Sequence, residues 1–426
     1  SDLIRHADRH HGSAEIVSKR VEGDIHRYTY RDAHKRSRKL AKALVALGVK
    51  PGERVATLAW NGYRHYELYY GVSGIGAVIH TINPRLFGEQ IAYIANHAED
   101  KVLFLDLSFV GLLEKLAPEL KTIKGYVILC DRTRMPGTTL PNAMCYEELL
   151  EAQDDGYEWP TFDERTACGL CYTSGTTGNP KGVLYSHRST IIHAYAAALP
   201  DTLNLSAIDC VLPVVPMFHA NAWSLPYGCT MIGVKMVFPG PHLDGKSVHE
   251  LFETERVTMS AGVPTVWLAL LNFVKDNNLK FSTLKTLVIG GSAAPPAMIR
   301  AFRDEFGVNV LHAWGMTEMS PLGTACSLKA KHAGVSQEEK FTVQARQGRA
   351  PFGVDMRIVD TEGKELPWDG KAFGDLHVRG PWITSAYFKN EGGDPLKGGW
   401  FPTGDVANID ADGYMQITDR SKDVIK

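Results

Sequence analysis

No run in this chain is apolar for long enough to cross a bilayer. The nearest, Leu68 to Ile79, is broken by three glycines and falls short of the ~20 residues a spanning helix needs. No signal-peptide pattern opens the chain, so any membrane contact is expected to be peripheral at most. Excess charge of either sign is also missing. Lys and Arg total 46 against 48 Asp and Glu, a net charge of -2, and without a basic stripe a nucleic-acid partner is not expected. Cysteine is sparse. Seven residues, an odd number without regular spacing, point to reduced thiols and a cytoplasmic location. Cys168 and Cys171 form a CxxC, but they fall in a strand-like stretch where residues three apart face opposite sides. Core thiols are therefore expected rather than a zinc or redox pair. His6, His10 and His11 are taken as a solvated helix face.

What is present is ample core. A length of 426 residues at 44% hydrophobic content supports two or three packed units. Ala33, Ser37, Leu40, Leu44 and Leu47 recur at helical steps, and Gly48 with Pro51 ends that helix. Short apolar strands are expected at Val55, Val102 to Leu105, Tyr126 to Leu129 and Leu287 to Ile289. This alternation implies largely parallel sheets covered by helices. Beyond Gln344 the texture changes to short alternating segments, at Met356, Asp375 and Tyr414. Turn signals at Thr361-Glu-Gly-Lys and Ala411-Asp-Gly separate them, the pattern of an antiparallel unit.

The strongest chemical signal is Tyr172-Thr-Ser-Gly-Thr-Thr-Gly-Asn-Pro-Lys-Gly182. A strand runs into a loop whose glycines (Gly175, Gly178) let backbone N–H groups approach an anion. Thr173, Ser174, Thr176 and Thr177 offer hydroxyls, and Lys181 offers charge. A Walker A loop is excluded, because Lys181 lies between Pro180 and Gly182.

This segment resembles the phosphate loop of the adenylate-forming superfamily, which includes acyl-CoA synthetases, luciferases and peptide-synthetase adenylation domains. Further blocks follow in that family's order. Gly290-Gly-Ser-Ala-Ala-Pro295 and His312-Ala-Trp-Gly-Met-Thr-Glu318 resemble its adenine and Mg2+ motifs. Trp400-Phe-Pro-Thr-Gly-Asp405 resembles its ribose motif and Asp419-Arg-Ser-Lys-Asp423 its hinge. The resemblance implies nucleotide contacts from Ser174, Gly175, Thr176, Thr177 and Gly178. It adds Gly291, Ser292, Ala293 and Ala294, then His312, Ala313, Trp314, Gly315, Met316 and Thr317. Trp314 would stack on adenine, Thr317 would bond the α-phosphate and Asp405 would accept the ribose hydroxyls. Arg420 and Lys422 would complete the exposed side. Thr173 and Glu318 would ligate Mg2+, and Thr173, Lys181, Thr317 and Glu318 would form the catalytic set.

The fold so implied is α/β, with stacked, mostly parallel sheets and a smaller antiparallel β-barrel-like subdomain. Residues 1–343 would form two packed α/β subdomains with the AMP site and an acyl tunnel. Residues 344–418 would form the barrel, and 419–426 a hinge to a small C-terminal domain beyond this chain. Ser1 and Lys426 are expected to be the ends of a fragment.

The stretch Pro216-Met-Phe-His-Ala-Asn-Ala-Trp223 bears on the identity of the acid. Amino-acid-activating relatives carry an Asp after the aromatic residue, whereas His219 follows Phe218 here, and an unpaired ammonium would be costly. Val214, Val215, Met217, Ala220 and Ala222, with Gly262 in Ala261-Gly-Val-Pro-Thr-Val-Trp267, suit an alkyl chain. The block is similar to bacterial medium- and long-chain fatty acyl-CoA synthetases, in which a tryptophan matching Trp223 gates the acyl tunnel. His219, Ala220, Trp223 and Gly262 are the expected acid-binding residues. The implied reaction is adenylation of a fatty acid by ATP and transfer of the acyl group to coenzyme A, in a homodimer. Alternatives are a member acting on an aryl or short acid, and a regulatory protein that keeps the nucleotide pocket alone. A hydrolase built on Ser292 lacks the elbow pattern, because Ala294 stands where Gly is required.

Overall fold

The computed structural model describes residues 1–173 and 179–420, with side chains described as far as Thr418. The chain divides into two compact units. The first comprises Ser1–Ile191 and Ser206–Leu243, the second Ile192–Leu205 and Asp244–Lys426.

The first unit holds a seven-stranded sheet in the order Ala143–Cys145, Gly125–Ile128, Val102–Leu105, Arg54–Leu58, Val78–Thr81, Ala167–Tyr172 and Gly182–Ser186. All neighbours are parallel except the last pair. Four further strands follow the order Cys210–Pro213, Lys235–Phe238, Glu15–Lys19 and Ile25–Thr29, with an antiparallel hairpin at the end. Local chemistry explains the helices. Tyr30–Ala46 starts at a capping box between Thr29 and Asp32 and ends before Gly48, whose φ is 81°. The apolar stretch from Leu68 becomes the end of the helix Tyr63–Gly74, every residue of which is buried, and the buried strand Val78–Thr81. A helix buried all round needs partners for its charges. Glu67 has Arg36 at 2.7 Å, and Arg64 has Glu22 at 2.6 Å and Glu147 at 2.8 Å.

The second unit contains the parallel strands Met259–Gly262, Thr286–Ile289 and Asn309–Gly315, with Leu322–Ala325 antiparallel at the edge. The helices Pro264–Asp276 and Pro296–Phe306 connect the parallel strands, and each begins with a proline at its first position. Its second sheet is an antiparallel meander of Asp355–Val359, Phe373–Arg379, Phe401–Ile409 and Met415–Arg420. The turn signals are used as expected, with Gly363 at φ 83° and Gly413 at φ 86°. Phe401–Ile409 carries the ribose-like motif and is a strand in its own right, which the alternation had not marked. Ile358, Leu376, Val378, Ala407, Ile409 and Met415 form the core of this sheet. The α/β class with mostly parallel sheets and a separate antiparallel sheet is as expected.

Cys168 and Cys171 are buried thiols on different partners: the Thr190 hydroxyl at 3.3 Å and the Asn221 side-chain oxygen at 3.1 Å. Burial raises both thiol pKa values to about 11. His6 and His10 are exposed on the helix Asp2–His11, which buries Ile4 and Ala7. No helix among the described residues is long and apolar enough to cross a membrane.

Candidate functional site

In the first unit the phosphate-like loop closes a β-hairpin. Ala167–Tyr172 pairs with Gly182–Ser186 as far as Tyr172 opposite Gly182. The next pair continues the ladder, with Thr173 N–H donating to the Lys181 carbonyl at 2.9 Å. Lys181 N–H donates back to Thr173 Oγ1 at 3.1 Å. That bond uses one lone pair of the hydroxyl and leaves its proton and a second lone pair. The neck of the loop is thereby fixed by the two residues expected to act in catalysis. Ser174, Gly175, Thr176, Thr177, Gly178 and Lys422 lie outside the described residues, as does the side chain of Arg420. The sequence reading missed the hairpin because its return strand, Gly182–Ser186, lies past the motif.

The block expected to bind the acid adopts an unusual backbone. Ala220, Asn221, Ala222, Trp223 and Ser224 all have positive φ, from 41° to 67°, and none is glycine. A left-handed turn of L-residues costs roughly 1–2 kcal/mol per residue, so the surrounding structure must impose it. Ala220 and Ala222 are buried, while Trp223 is half-buried. It thus differs from Trp267, which is fully buried with its indole N–H on the Val288 carbonyl at 3.2 Å. His219 is solvent-accessible but ringed by packed chain. That desolvation lowers its imidazole pKa below the ordinary value, so the ring is neutral at pH 7.

In the second unit the remaining blocks converge at the carboxyl ends of parallel strands, where α/β sheets place ligands. Gly262 ends its strand opposite Ile289, and Ile289 lies opposite His312. The Gly290–Ala294 turn leaves the strand at Ile289. Its Gly291 has φ 80°, and a Cβ there would lie 3.2 Å from Val263. Gly291, Ser292 and Ala293 are exposed, while Ala294 is buried. No histidine bonds the Ser292 hydroxyl among the described residues. His312 is buried, its Nδ1 3.2 Å from the Ala345 carbonyl.

Ala313 and Gly315 flank Trp314 on the same strand, and Met316 leads into the turn Thr317–Met319. Trp314 is 9% exposed and packs with the antiparallel sheet's core. One side of its ring lies on Gly323, where a Cβ would come within 2.4 Å. Its indole N–H donates to Asp405 Oδ2 at 3.1 Å. Asp405 is 5% exposed, follows Gly404 at φ 79°, and stands opposite Arg420 in the ladder. Glu318 is 7% exposed, and its Oε1 accepts the Tyr387 O–H at 2.8 Å. Burial and the adjoining carboxylate push the phenol pKa upward, so Tyr387 is a donor throughout the neutral range. Tyr387 belongs to none of the sequence blocks. It lies at a turn between strands, and only the fold brings it to Glu318.

Glu318 in the second unit offers a carboxylate and Thr173 in the first a hydroxyl, each a hard oxygen donor of the kind Mg2+ takes.

Comparison with known proteins finds relatives over the whole length of the chain. A profile of AMP-binding enzymes matches residues 3–388. A medium-chain-fatty-acid–CoA ligase of Ectopseudomonas oleovorans is 51% identical over 424 residues, covering 100% of this chain and 78% of the relative. A 3-methylmercaptopropionyl-CoA ligase of Ruegeria lacuscaerulensis is 50% identical over 426 residues, covering 100% and 79%. The crystal structure of an anthranilate CoA ligase with anthranoyl-AMP superposes with a TM-score of 0.88. At 23% identity, covering 100% of this chain and 78% of that one, it supports the fold alone.

Proposed function

The chain belongs to the AMP-binding enzymes, and we propose that it is an ATP-dependent ligase joining a medium- or long-chain fatty acid to coenzyme A. The observation that carries this reading is the second unit's cluster at its strand ends. There the buried Asp405 is oriented by the Trp314 indole, and the buried Glu318 by the Tyr387 phenol. A buried carboxylate held at one oxygen by a neutral donor keeps its direction, which is what a ribose diol or a hard cation requires.

In the first half-reaction the fatty carboxylate attacks the α-phosphorus of ATP, pyrophosphate leaves and acyl-AMP forms. In the second the coenzyme A thiol attacks the acyl carbonyl and AMP leaves. Both partners of the first step are anions, so positioning and charge neutralisation dominate the barrier. Mg2+, with Glu318 and Thr173 as its proposed protein ligands, would supply charge on the phosphate oxygens. Thr317 and the loop residues Ser174 to Gly178 are assigned to phosphate, Lys181 to the charge of the transition state, and Asp405 with Arg420 and Lys422 to the ribose side. Gly291 to Ala294 and His312 to Met316 border the adenine. His219, neutral at pH 7, adds no charge beside an alkyl chain, and with Ala220, Trp223 and Gly262 it is assigned to the acid. The division at 343 and 418 with a hinge from 419, the homodimer and the cytoplasmic location are part of the same proposal. Seven buried thiols support the last.

Pyrophosphate release measured with butyrate, octanoate, palmitate and benzoate tests the reading. Octanoate or palmitate should give the highest kcat/KM, with acyl-CoA as product; preference for benzoate, or release independent of acid, would overturn it. A second reading, a short acid, is favoured by the nearly equal identity of the 3-methylmercaptopropionyl-CoA ligase. It predicts butyrate as the best substrate of that series.

A further inference from the structure

The left-handed turn that carries Trp223 needs an external constraint, and the geometry points to Asn61 and Tyr69 as the positioning residues that impose it and thereby set acyl chain-length selectivity. This assignment rests on the reading of Ala220 to Trp223 as the acid-binding segment.

Asn61 follows the strand Arg54–Leu58 and is 4% exposed. Its side-chain amide is fully engaged by one segment. Nδ2 donates to the Pro213 carbonyl at 2.8 Å and to the Val215 carbonyl at 2.9 Å. Oδ1 accepts the Met217 N–H at 2.7 Å. The Asn61 carbonyl in turn accepts Gly240 N–H at 3.1 Å, which ties the clamp to the loop after Lys235–Phe238. Tyr69, on the buried helix Tyr63–Gly74, is fully buried and donates its O–H to the Met217 carbonyl at 2.5 Å. Both polar groups of the Met217 backbone are therefore held by side chains from outside the segment, and Met217 itself is fully buried.

Past this fixed point the chain has few choices. His219 N–H returns to the Pro216 carbonyl at 3.0 Å, Ala222 N–H to His219 at 3.1 Å and Ser224 N–H to Asn221 at 3.0 Å. These local bonds close the turn but do not choose its hand. L-residues resist the left-handed region, so the hand is set by where Met217 enters and where Leu225–Ile232 begins. Tyr70 O–H holds that exit, donating to the Pro226 carbonyl at 2.8 Å. The helix Tyr63–Gly74 therefore grips the segment on both sides, through Tyr69 before the turn and Tyr70 after it. Loosening the entry lets residues 220–224 relax toward right-handed backbone, which moves the Trp223 indole. None of these bonds involves an element assigned to the nucleotide, so the effect belongs to the acid.

Tyr69→Phe removes one hydroxyl and keeps the ring. Asn61→Asp keeps the acceptor for Met217 but turns an anionic oxygen toward two carbonyls. Both are compared with the wild-type protein for KM over saturated acids from butyrate to palmitate, for KM of ATP, and for amide exchange in residues 213–224 with and without palmitate. Tyr69→Phe should raise KM for the preferred acid about tenfold, the scale of one buried hydrogen bond. It should flatten the chain-length profile, leave KM for ATP within about twofold and speed exchange across the turn; Asn61→Asp should do the same more strongly. Should Asn61→Asp fail to fold, Tyr69→Phe alone decides. If palmitate protects the turn in the wild type while Tyr69→Phe keeps the wild-type profile and exchange, the clamp is wrong and the acid reading stands. A parallel loss for acid and ATP would make both residues merely structural and overturn the assignment. If no acid protects the turn in the wild type, the acid-binding reading falls and takes the clamp with it.

Discussion

The nucleotide blocks of the second unit and the acid block of the first solve their positioning problems by opposite means. Gly262, Ile289 and His312 sit at neighbouring positions of a regular parallel ladder, and the chemistry begins where the strands stop. Positive φ falls on glycines such as Gly291 and Gly404, both near 80°, where it is nearly free, and on single residues such as Ser320 at 69°. The acid block has no such frame. Five consecutive non-glycine residues hold left-handed backbone, and the conformation persists because side chains from a buried helix and a strand end impose it. The first arrangement is rigid by construction, which suits the invariant nucleotide proposed for it. The second depends on distant partners, so small changes in those partners can alter which acid fits.

The sharpest test of the rigid side is Glu318→Gln. The substitution is nearly isosteric and retains an oxygen for the Tyr387 hydroxyl, so the fold should survive. The loss of one ligand charge should lower the adenylation rate by about two orders of magnitude or more. Apparent affinity for Mn2+, followed by its electron-spin signal in the presence of ATP, should fall in parallel. Wild-type adenylation by this variant would remove Glu318 from the site.

The strained side is probed next by Trp223→Ala. Truncating a fully buried tryptophan such as Trp267 costs ~3–5 kcal/mol of stability. Trp223 is only half-buried, so its loss should be milder. Acid KM and the chain-length profile should shift by about tenfold or more, with KM for ATP little changed. A thermal melt that collapses, or an equal loss for both substrates, would return Trp223 to the core and erase the contrast.

These two residues also mark how far the sequence could be read. Glu318 was legible because its block is contiguous, and a strand ending in a small-residue turn places its own side chains. Its partner Tyr387 was not, because 69 residues separate the two in sequence and no pattern links them. The parallel strands were legible from apolar runs bounded by turn residues. Phe401–Ile409 was hidden because Pro402, Gly404 and Asp405 break its alternation. The left-handed turn could not be foreseen at all: Ala-Asn-Ala-Trp-Ser favours ordinary backbone, and its hand comes from Asn61 and Tyr69, about 150 residues upstream.

A smaller effect is expected from Trp314→Phe. The ring remains to pack on Gly323, but the indole N–H that holds Asp405 Oδ2 is lost. One bond to a charged acceptor should raise KM for ATP about tenfold, with the chain-length profile unchanged. If the profile moved as well, the two regions would not be separable and the comparison would fail.

The smallest effect should come from Cys171, whose thiol is a contact between the hairpin strand and the turn. Its thiol lies 3.1 Å from the Asn221 side-chain oxygen. A thiol is a weak donor, and Asn61 holds the neighbouring backbone with three bonds of 2.7 to 2.9 Å, so Cys171→Ala should change acid KM by no more than about twofold. Its chemistry should be equally quiet. Burial raises the Cys171 pKa to about 11, and a raised thiol pKa means less thiolate at any lower pH. At pH 8 the reactive fraction is about one in a thousand, against roughly a quarter for an ordinary cysteine. Iodoacetamide at pH 8, followed by peptide mass spectrometry, should leave Cys168 and Cys171 unmodified while the protein is folded and label both after denaturation. Rapid native labelling, or a large KM change in Cys171→Ala, would show that the hairpin strand rather than the Asn61–Tyr69 pair governs the turn.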